Sequence, residues 1–267
     1  MNAELLLMFT LGCDRAYLYG HPERELTDEE NGRYNDALGQ RAKGIPAQYI
    51  TGHQEFWSMD FMVTPAVLIP RPETEHVVER VLELLAGLRG AQATPQGALK
   101  KPRLVDVGTG SGCIALALAK ELPQVEIHAT DISAGALEIA RANAARLNLD
   151  TPVMFHEADL LTGIEPGFDV VVSNPPYVGL AEEDEVQLEV RKFEPRTAVF
   201  SGQSGLETIE RLLSQARAAL NPGGWLVMET AYNAEERVRG MLTDGWSDVA
   251  LTRDLAGLPR VISARKA

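Results

Sequence analysis

Leu104-Val105-Asp106-Val107-Gly108-Thr109-Gly110-Ser111-Gly112-Cys113 is the stretch that decides the fold. Residues 104–107 read as a short apolar strand, and glycines follow it at alternate positions. Such a loop turns sharply and brings backbone close to a ligand at the carboxyl end of a strand. The dinucleotide-binding fingerprint needs its third glycine at position 113, where this chain has Cys113. Beyond the loop, residues 125–130, 153–156, 168–173 and 225–229 are further short apolar strands. Helical runs separate most of them, of which 134–147 and 206–220 are examples. Strand and helix in alternation predict a parallel sheet covered on both faces. Residues 246–253 and 261–265 flank a Gly257-Leu258-Pro259 turn, which predicts an antiparallel edge hairpin. The expected fold is therefore α/β: a doubly wound, mostly parallel seven-stranded sheet with an antiparallel C-terminal hairpin, plus a small N-terminal helical domain.

On the N-terminal side the chain reads as helices. Residues 4–11 are apolar nearly all round, which suits a buried helix. Thr27-Asp28-Glu29-Glu30 is a capping box whose helix should end near Gly44, and Pro46 opens a shorter one. Phe56, Trp57, Phe61, Val63, Val67 and Ile69, interrupted by Pro65, read as a hairpin or extended connector. An amphipathic helix follows with Val77, Val78, Val81, Leu82, Leu85 and Leu88 on one side. Residues 87–103, rich in Gly, Ala, Pro and Gln, read as an exposed loop.

The 267 residues leave room for two domains, and 45% hydrophobic with 24% charged residues is enough for a sizeable core. A net charge of −13 argues against a nucleic-acid partner, because phosphate neutralisation by a basic face dominates such affinity. Cys13 and Cys113 make no disulfide framework and have no metal-ligand spacing, so a reducing cytoplasm is the expected compartment and no metal is expected. The run before Cys13 has the look of a short secretory h-region. However, no Lys or Arg precedes it and Glu4 stands at its entrance, so it reads as a core helix. No stretch approaches the roughly 20 apolar residues of a transmembrane helix.

Gly-x-Gly-x-Gly after an acid resembles the first motif of class I methyltransferases, whose cofactor, S-adenosyl-L-methionine, has no pyrophosphate. Asp131 lies at the end of the second strand, about 20 residues beyond the loop, where α/β cofactor sites place a ribose-binding acid. A carboxylate accepting ribose hydroxyls there is worth about 1.5–3 kcal/mol. The competing reading is a helix N-cap, which Ser133 would serve equally well. Asp159, at the end of the third strand, is placed to meet an adenine amino group, or is simply a loop acid. Cys113 opens a helix, where a dipole lowers a thiol pKa, although no His or second Cys lies nearby in sequence; packing beneath the loop is the plainer reading.

Ser173-Asn174-Pro175-Pro176-Tyr177 follows the fourth strand, at the same sheet edge. An amide nitrogen is a poor nucleophile because its lone pair is delocalised into the carbonyl. A pocket assists by accepting both N–H hydrogens. The Asn174 side-chain oxygen is one acceptor and an adjoining backbone carbonyl a second. The prolines offer no N–H and hold their predecessors extended, and Tyr177 supplies a flat face for a planar group.

With these motifs the chain resembles the N5-glutamine methyltransferases of peptide-chain release factors over nearly its whole length. Leu68-Ile69-Pro70-Arg71-Pro72-Glu73-Thr74-Glu75 looks like that family's connector signature. Arg41, Gln48-Tyr49-Ile50-Thr51-Gly52, Glu194-Pro195-Arg196, Asp254-Leu255-Ala256-Gly257 and Arg260-Val261 fit as well. The resemblance implies a helical recognition domain over 1–52, a β-hairpin linker over 53–72 and a catalytic domain over 73–267. It implies cofactor contacts from Gly108, Thr109, Gly110, Ser111, Gly112, Asp131 and Asn174, joining the Asp159 and Leu160 positions at the adenine end. Asn174, Pro175, Pro176 and Tyr177 would hold the substrate glutamine of a Gly-Gly-Gln motif, with Asn174, Pro175 and Tyr177 acting at the reacting nitrogen. Arg71 and Glu73 would lie near the site, or form an exposed ion pair at a helix entrance. A release factor is then the protein substrate of a cytoplasmic monomer without direct nucleic-acid or membrane contact.

The chain departs from the family in three places. It begins where relatives have a further helical segment, which implies either reduced release-factor contacts or a start upstream. Leu160 replaces an aromatic that packs on adenine in some relatives, and Glu229-Thr230-Ala231 stands where Glu-x-Gly is usual. The runner-up activity is an amino-methyltransferase of adenine or guanine in nucleic acid, which needs the same loop and pocket. It also needs a basic or aromatic-laced region, which the sequence does not display. The acidic run Glu182-Glu183-Asp184-Glu185 would repel phosphate or is a solvated face. A non-catalytic cofactor-binding protein is the third reading, against which the intact Asn174–Tyr177 motif stands.

Overall fold

The computed structural model describes residues 2–88, 101–149 and 153–267. Of the loop expected over 87–103, residues 89–100 lie outside these residues, as does the Leu88 side chain assigned to the apolar helix face, while 87–88 are helical and 103 begins a strand. Among the described residues no helix is long and apolar enough to cross a membrane.

Helices open the chain: α1 (Asn2–Leu11), α2 (Arg15–Gly20), α3 (Asp28–Ala42) and α4 (Ala47–Thr51). The capping box forms as expected, with Glu30 N donating to Thr27 Oγ1 and Thr27 N to Glu30 Oε2 at 3.0 Å. The wholly buried α1 does not. Leu6 is buried, but Leu5 and Phe9 are 37% and 49% exposed. Its helical neighbours are α3 and α4, and two neighbours cover one side of a helix rather than its whole circumference.

Strands β1 (His53–Phe56) and β2 (Met59–Met62) form the anticipated hairpin. Its two-residue turn puts Trp57 at φ 53° and Ser58 at φ 52°. A tight hairpin of this kind needs positive φ at both positions, which costs a side-chain-bearing residue about 1–2 kcal/mol. Carboxylates offset the strain: Glu75 accepts from Trp57 N at 2.7 Å and Glu55 from Ser58 N at 3.1 Å. Helix α5 (Glu75–Leu88) then buries Val77, Val78, Val81 and Leu85, as its apolar stripe predicts.

The sheet comprises β3 (Arg103–Val107), β4 (Glu126–Asp131), β5 (Val153–Glu157), β6 (Phe168–Ser173), β7 (Leu220–Glu229), β8 (Trp246–Arg253) and β9 (Pro259–Lys266), in the order β5-β4-β3-β6-β7-β9-β8. The first five in that order pair in parallel, and β9 runs antiparallel between β7 and β8. Residues on alternate positions enter separate cores. Leu104, Ile127, Val170 and Val227 pack on the face shared with α5 and α6 (Cys113–Glu121). Val105, Val171, Leu226 and Ile262 pack on the opposite face with α10 (Glu207–Ala219) and α11 (Glu235–Met241). Helix α7 (Ala134–Arg146) follows β4, and the short α8 (Leu188–Phe193) and α9 (Arg196–Val199) lie between β6 and α10. Burial of both faces explains why the central strands β3 and β6 read as near-continuous apolar runs.

Asn143 of α7 is fully buried and joins the hairpin to the loop after β3. Its Oδ1 accepts from Met62 N at 2.8 Å, and its Nδ2 donates to Met62 O at 3.0 Å and to Ser111 O at 2.9 Å. One side chain thus satisfies both backbone groups of a hairpin residue and a carbonyl of the glycine loop. Asn143→Ala leaves these groups without partners, at about 1–3 kcal/mol for each that stays buried. The expected outcome is a lower urea midpoint with an unchanged m-value, and an unshifted midpoint would refute the joint.

Candidate active site

The site is assembled by strand register. Val107 of β3 stands opposite Thr130 of β4 on one side and Ser173 of β6 on the other. Gly108, Asp131 and Asn174, the next residue along each chain, therefore stand level at the carboxyl edge of the sheet, Asp131 as the last residue of β4. Local bonds hold that edge: Gly108 N and Thr109 N both donate to Thr130 O, and Ser173 Oγ donates to Val107 O at 2.7 Å.

Gly108 and Gly110 adopt φ values of 74° and 57°, with open space where a side chain would stand. Gly112 differs. A Cβ there would meet Leu116 Cδ1 at 3.1 Å and Ala140 Cβ at 3.3 Å, and the residue does not line the cavity above the loop. The space beside Gly112 is thus filled by close packing of the loop on α6 and α7. Asp106 anchors the loop from below, accepting from Thr109 Oγ1 at 2.6 Å and Ala115 N at 3.2 Å, and burial pushes its carboxyl up to about 7. Burial likewise pushes the Cys113 thiol up to about 12, which excludes the activated-thiol reading.

A cavity of about 330 Å³ opens above the loop, within the range of small-molecule sites. Arg71, Gly108, Thr109, Gly110, Ser111, Asp131, Asp159, Leu160, Asn174 and Pro176 all line it. Asp131 Oδ2 accepts from Gly110 N and Oδ1 from Ser133 N, both at 2.9 Å. The helix cap is Ser133, whose hydroxyl accepts from Ala136 N, so Asp131 is not the N-cap of α7. Burial raises the Asp131 pKa, opposed by these backbone donors. Asp159 is paired with Arg211 of α10, a cavity residue the sequence did not reveal. Leu160 has φ 54°, a left-handed conformation that costs a leucine about 1–2 kcal/mol.

Pro175 and Tyr177 line an adjoining cavity that also holds Asn174, and Glu73 lines a third. Arg71 borders all three. It does not pair with Glu73. Its guanidinium donates to buried Glu194 at 2.5 Å, whose other oxygen accepts from Ile69 N at 3.1 Å, while Glu73 lies 3.9 Å from Arg260. The Asn174 amide donates through Nδ2 to Thr74 Oγ1 at 3.1 Å, and Oδ1 has no partner among the described residues. Thr74 Oγ1 donates to Glu229 Oε2 at 2.6 Å, and Tyr177 Oη to Glu229 Oε1 at 3.1 Å. Burial raises the pKa of Glu229, and that of Tyr177 as well. The loop after Tyr177 is wedged from behind by Gly205, where a Cβ would stand 2.5 Å from Tyr177 O. The acidic run is largely paired, Glu183 with Arg196 and Asp184 with Arg191. Among the described residues no group of three or more His, Cys, Asp or Glu side chains is arranged to hold a metal.

Chemically, the edge offers carboxylate acceptors at one end of a concave site. At the other it offers an amide oxygen and proline carbonyls beside an aromatic ring. The family model of the methyltransferase small domain matches residues 92–192, and that of the PrmC N-terminal domain matches residues 1–52. A release factor glutamine methyltransferase of Koribacter versatilis is 53% identical over 268 residues, covering 100% of this chain and 91% of the relative. One of Xylella fastidiosa is 41% identical over 267 residues, covering 99% and 92%. A solved methyltransferase structure from Pyrococcus furiosus aligns with a TM-score of 0.52 at 20% identity, covering 87% of this chain and 94% of that one, and shares the fold. Identity at this level over the full length places the chain in the release factor glutamine methyltransferase family.

Proposed function

We propose that the protein transfers a methyl group from S-adenosyl-L-methionine to the side-chain amide nitrogen of the glutamine in the Gly-Gly-Gln motif of peptide-chain release factors. The observation that carries this reading is the meeting of the glycine loop, Asp131 and Asn174 around one cavity. The residues fit the cofactor. Gly108 and Gly110 leave room for a ligand against the backbone, and Asp131 retains acceptor capacity for hydroxyls beyond its two backbone bonds. Arg211 holds Asp159 at the same wall, where Leu160 adds apolar surface. When bound, the cofactor supplies an electrophilic methyl group.

The protein's own groups then position the acceptor nitrogen. Asn174 Oδ1 takes one amide hydrogen and the Pro175 carbonyl the other, which orients the nitrogen lone pair across the cavity towards the glycine loop. Tyr177 offers its ring to the planar amide, with its hydroxyl held by Glu229. Pro176 and Arg71 close the sides, and Glu73 borders the approach. The lining carboxylates are already engaged, Asp131 by backbone donors and Asp159 by Arg211, so rate acceleration comes from alignment and desolvation, and the proton displaced from the methylated nitrogen leaves to water. Residues 1–52 serve as the recognition domain, 53–72 as the hairpin linker and 73–267 as the catalytic domain. The protein works as a cytoplasmic monomer on a protein substrate, without direct nucleic-acid contact.

The assignments are tested separately. Asp131→Ala should weaken cofactor binding about tenfold to a hundredfold by calorimetry, from loss of charge-assisted hydrogen bonds. Unchanged affinity would leave Asp131 a loop brace only. Asn174→Ala should lower turnover roughly a hundredfold or more, with a much smaller change in cofactor affinity. Mass spectrometry of the Gly-Gly-Gln peptide reads the product as a gain of one methyl group. An unmodified peptide alongside methylated RNA or DNA would overturn the glutamine assignment. Deletion of residues 1–52 should preserve cofactor binding and abolish methylation of the intact release factor, and a full rate in that truncation would defeat the recognition role.

A further inference from the structure

Thr74, which lines the cavity, and Glu229 make no hydrogen bond to the glycine loop or Asp131 among the described residues, yet they close a hydrogen-bonded chain onto Asn174. We infer that the buried carboxylate of Glu229, acting through the Thr74 hydroxyl, sets which way round the Asn174 amide sits, so that its oxygen is turned to the substrate. The inference rests on the reading of Asn174 as the glutamine-binding group.

An asparagine amide has nearly the same shape with oxygen and nitrogen exchanged, so packing does not select between them. The wrong orientation would set an NH2 against the substrate NH2, donor against donor. An ionised Glu229 can only accept. Thr74 Oγ1 and Tyr177 Oη lie 2.6 and 3.1 Å from its two oxygens, and each hydroxyl has a single hydrogen to give. With that hydrogen committed to Glu229, the Thr74 oxygen is an acceptor towards Asn174. At 3.1 Å Asn174 meets it only through Nδ2–H, which leaves Oδ1 free for the amide. The chain runs in one direction and is isolated from water at its source, since Glu229 is 3% and Thr74 2% exposed.

A proton on Glu229 reverses the logic. The carboxyl can then donate to Thr74, and the freed threonine hydrogen pairs with Asn174 Oδ1. The groups around Glu229 are Thr74 and Glu73 before α5, Tyr177 after β6, Arg260 of β9 and Cys113 of α6, with Arg71 and its partner Glu194 lining a cavity that Glu229 also borders. Burial raises its pKa most, with Glu73 in the same direction and Arg260 against it. Activity is therefore lost as pH falls through that raised value. Thr74 and Glu229 are positioning residues.

The test uses the full-length protein with a release factor as substrate. Thr74→Val keeps the shape and removes the hydroxyl. It should lower kcat about tenfold to a hundredfold, with cofactor affinity unchanged by calorimetry, and Thr74→Ser should recover most of the loss. In an Asn174→Asp background both oxygens accept, so Thr74→Val should cost at least severalfold less there than in the wild type. An acid limb of the kcat profile present in the wild type should be missing from Thr74→Val. Equal cost in both backgrounds would mean that Thr74 acts by packing, which overturns the inference. Wild-type kcat in Thr74→Val with an inactive Asn174→Ala would overturn it while leaving Asn174 in its role. Wild-type turnover in Asn174→Ala would remove that role and the inference with it.

Discussion

The register of β3 against its two neighbours is the constraint on which the site depends. Val107, Thr130 and Ser173 are level because parallel ladders tie each backbone to the next. A slip of one residue in either ladder would reverse the faces of that strand and break both cores. Burial on both sides of the sheet therefore fixes more than the fold. It also brings into one cavity three loops that come from strands far apart in the chain.

The second requirement is that polar groups removed from water be paired. The protein meets it with a few side chains that each serve several partners. Asn143 satisfies Met62 and Ser111, and Glu194 holds Arg71 and Ile69. Glu229 collects the hydroxyls of Thr74 and Tyr177. Buried carboxylates of this kind cost desolvation energy, and they are kept where their bonds orient neighbours at the site.

The strands, the glycine loop and the motif Asn174–Tyr177 were legible because each is a local signal: a period of apolar residues, or special residues consecutive in the chain. The capping box at Thr27 was legible for the same reason. What escaped is non-local. Thr74 meets partners 100 and 155 positions away, and Arg211 meets Asp159 across 52 positions, and no sequence period marks such pairs. Ambiguities settled by geometry were of the same type. Whether Arg71 turns to Glu73 or Glu194, and whether Asp131 or Ser133 caps α7, depends on where other segments lie. Helix α1 was misjudged because composition reports how apolar a helix is and not how many neighbours it has. The motif likewise does not display that the missing side chain of Gly112 makes room for Leu116 and Ala140.

The close approach of Gly205 to the Tyr177 carbonyl ties the motif to the far wall of the cavity. The segment holding Gly205 leads into α10, α10 presents Arg211, and Arg211 grips Asp159 beside β5. The wall of the cavity is thus a closed ring in which chain and hydrogen bonds alternate. The Tyr177 side of the ring cannot yield without moving a helix. The Arg211–Asp159 link is half-exposed and open to screening by salt. A side chain at position 205 would displace the Tyr177 carbonyl and, through the chain that follows, disturb the helix that carries Arg211.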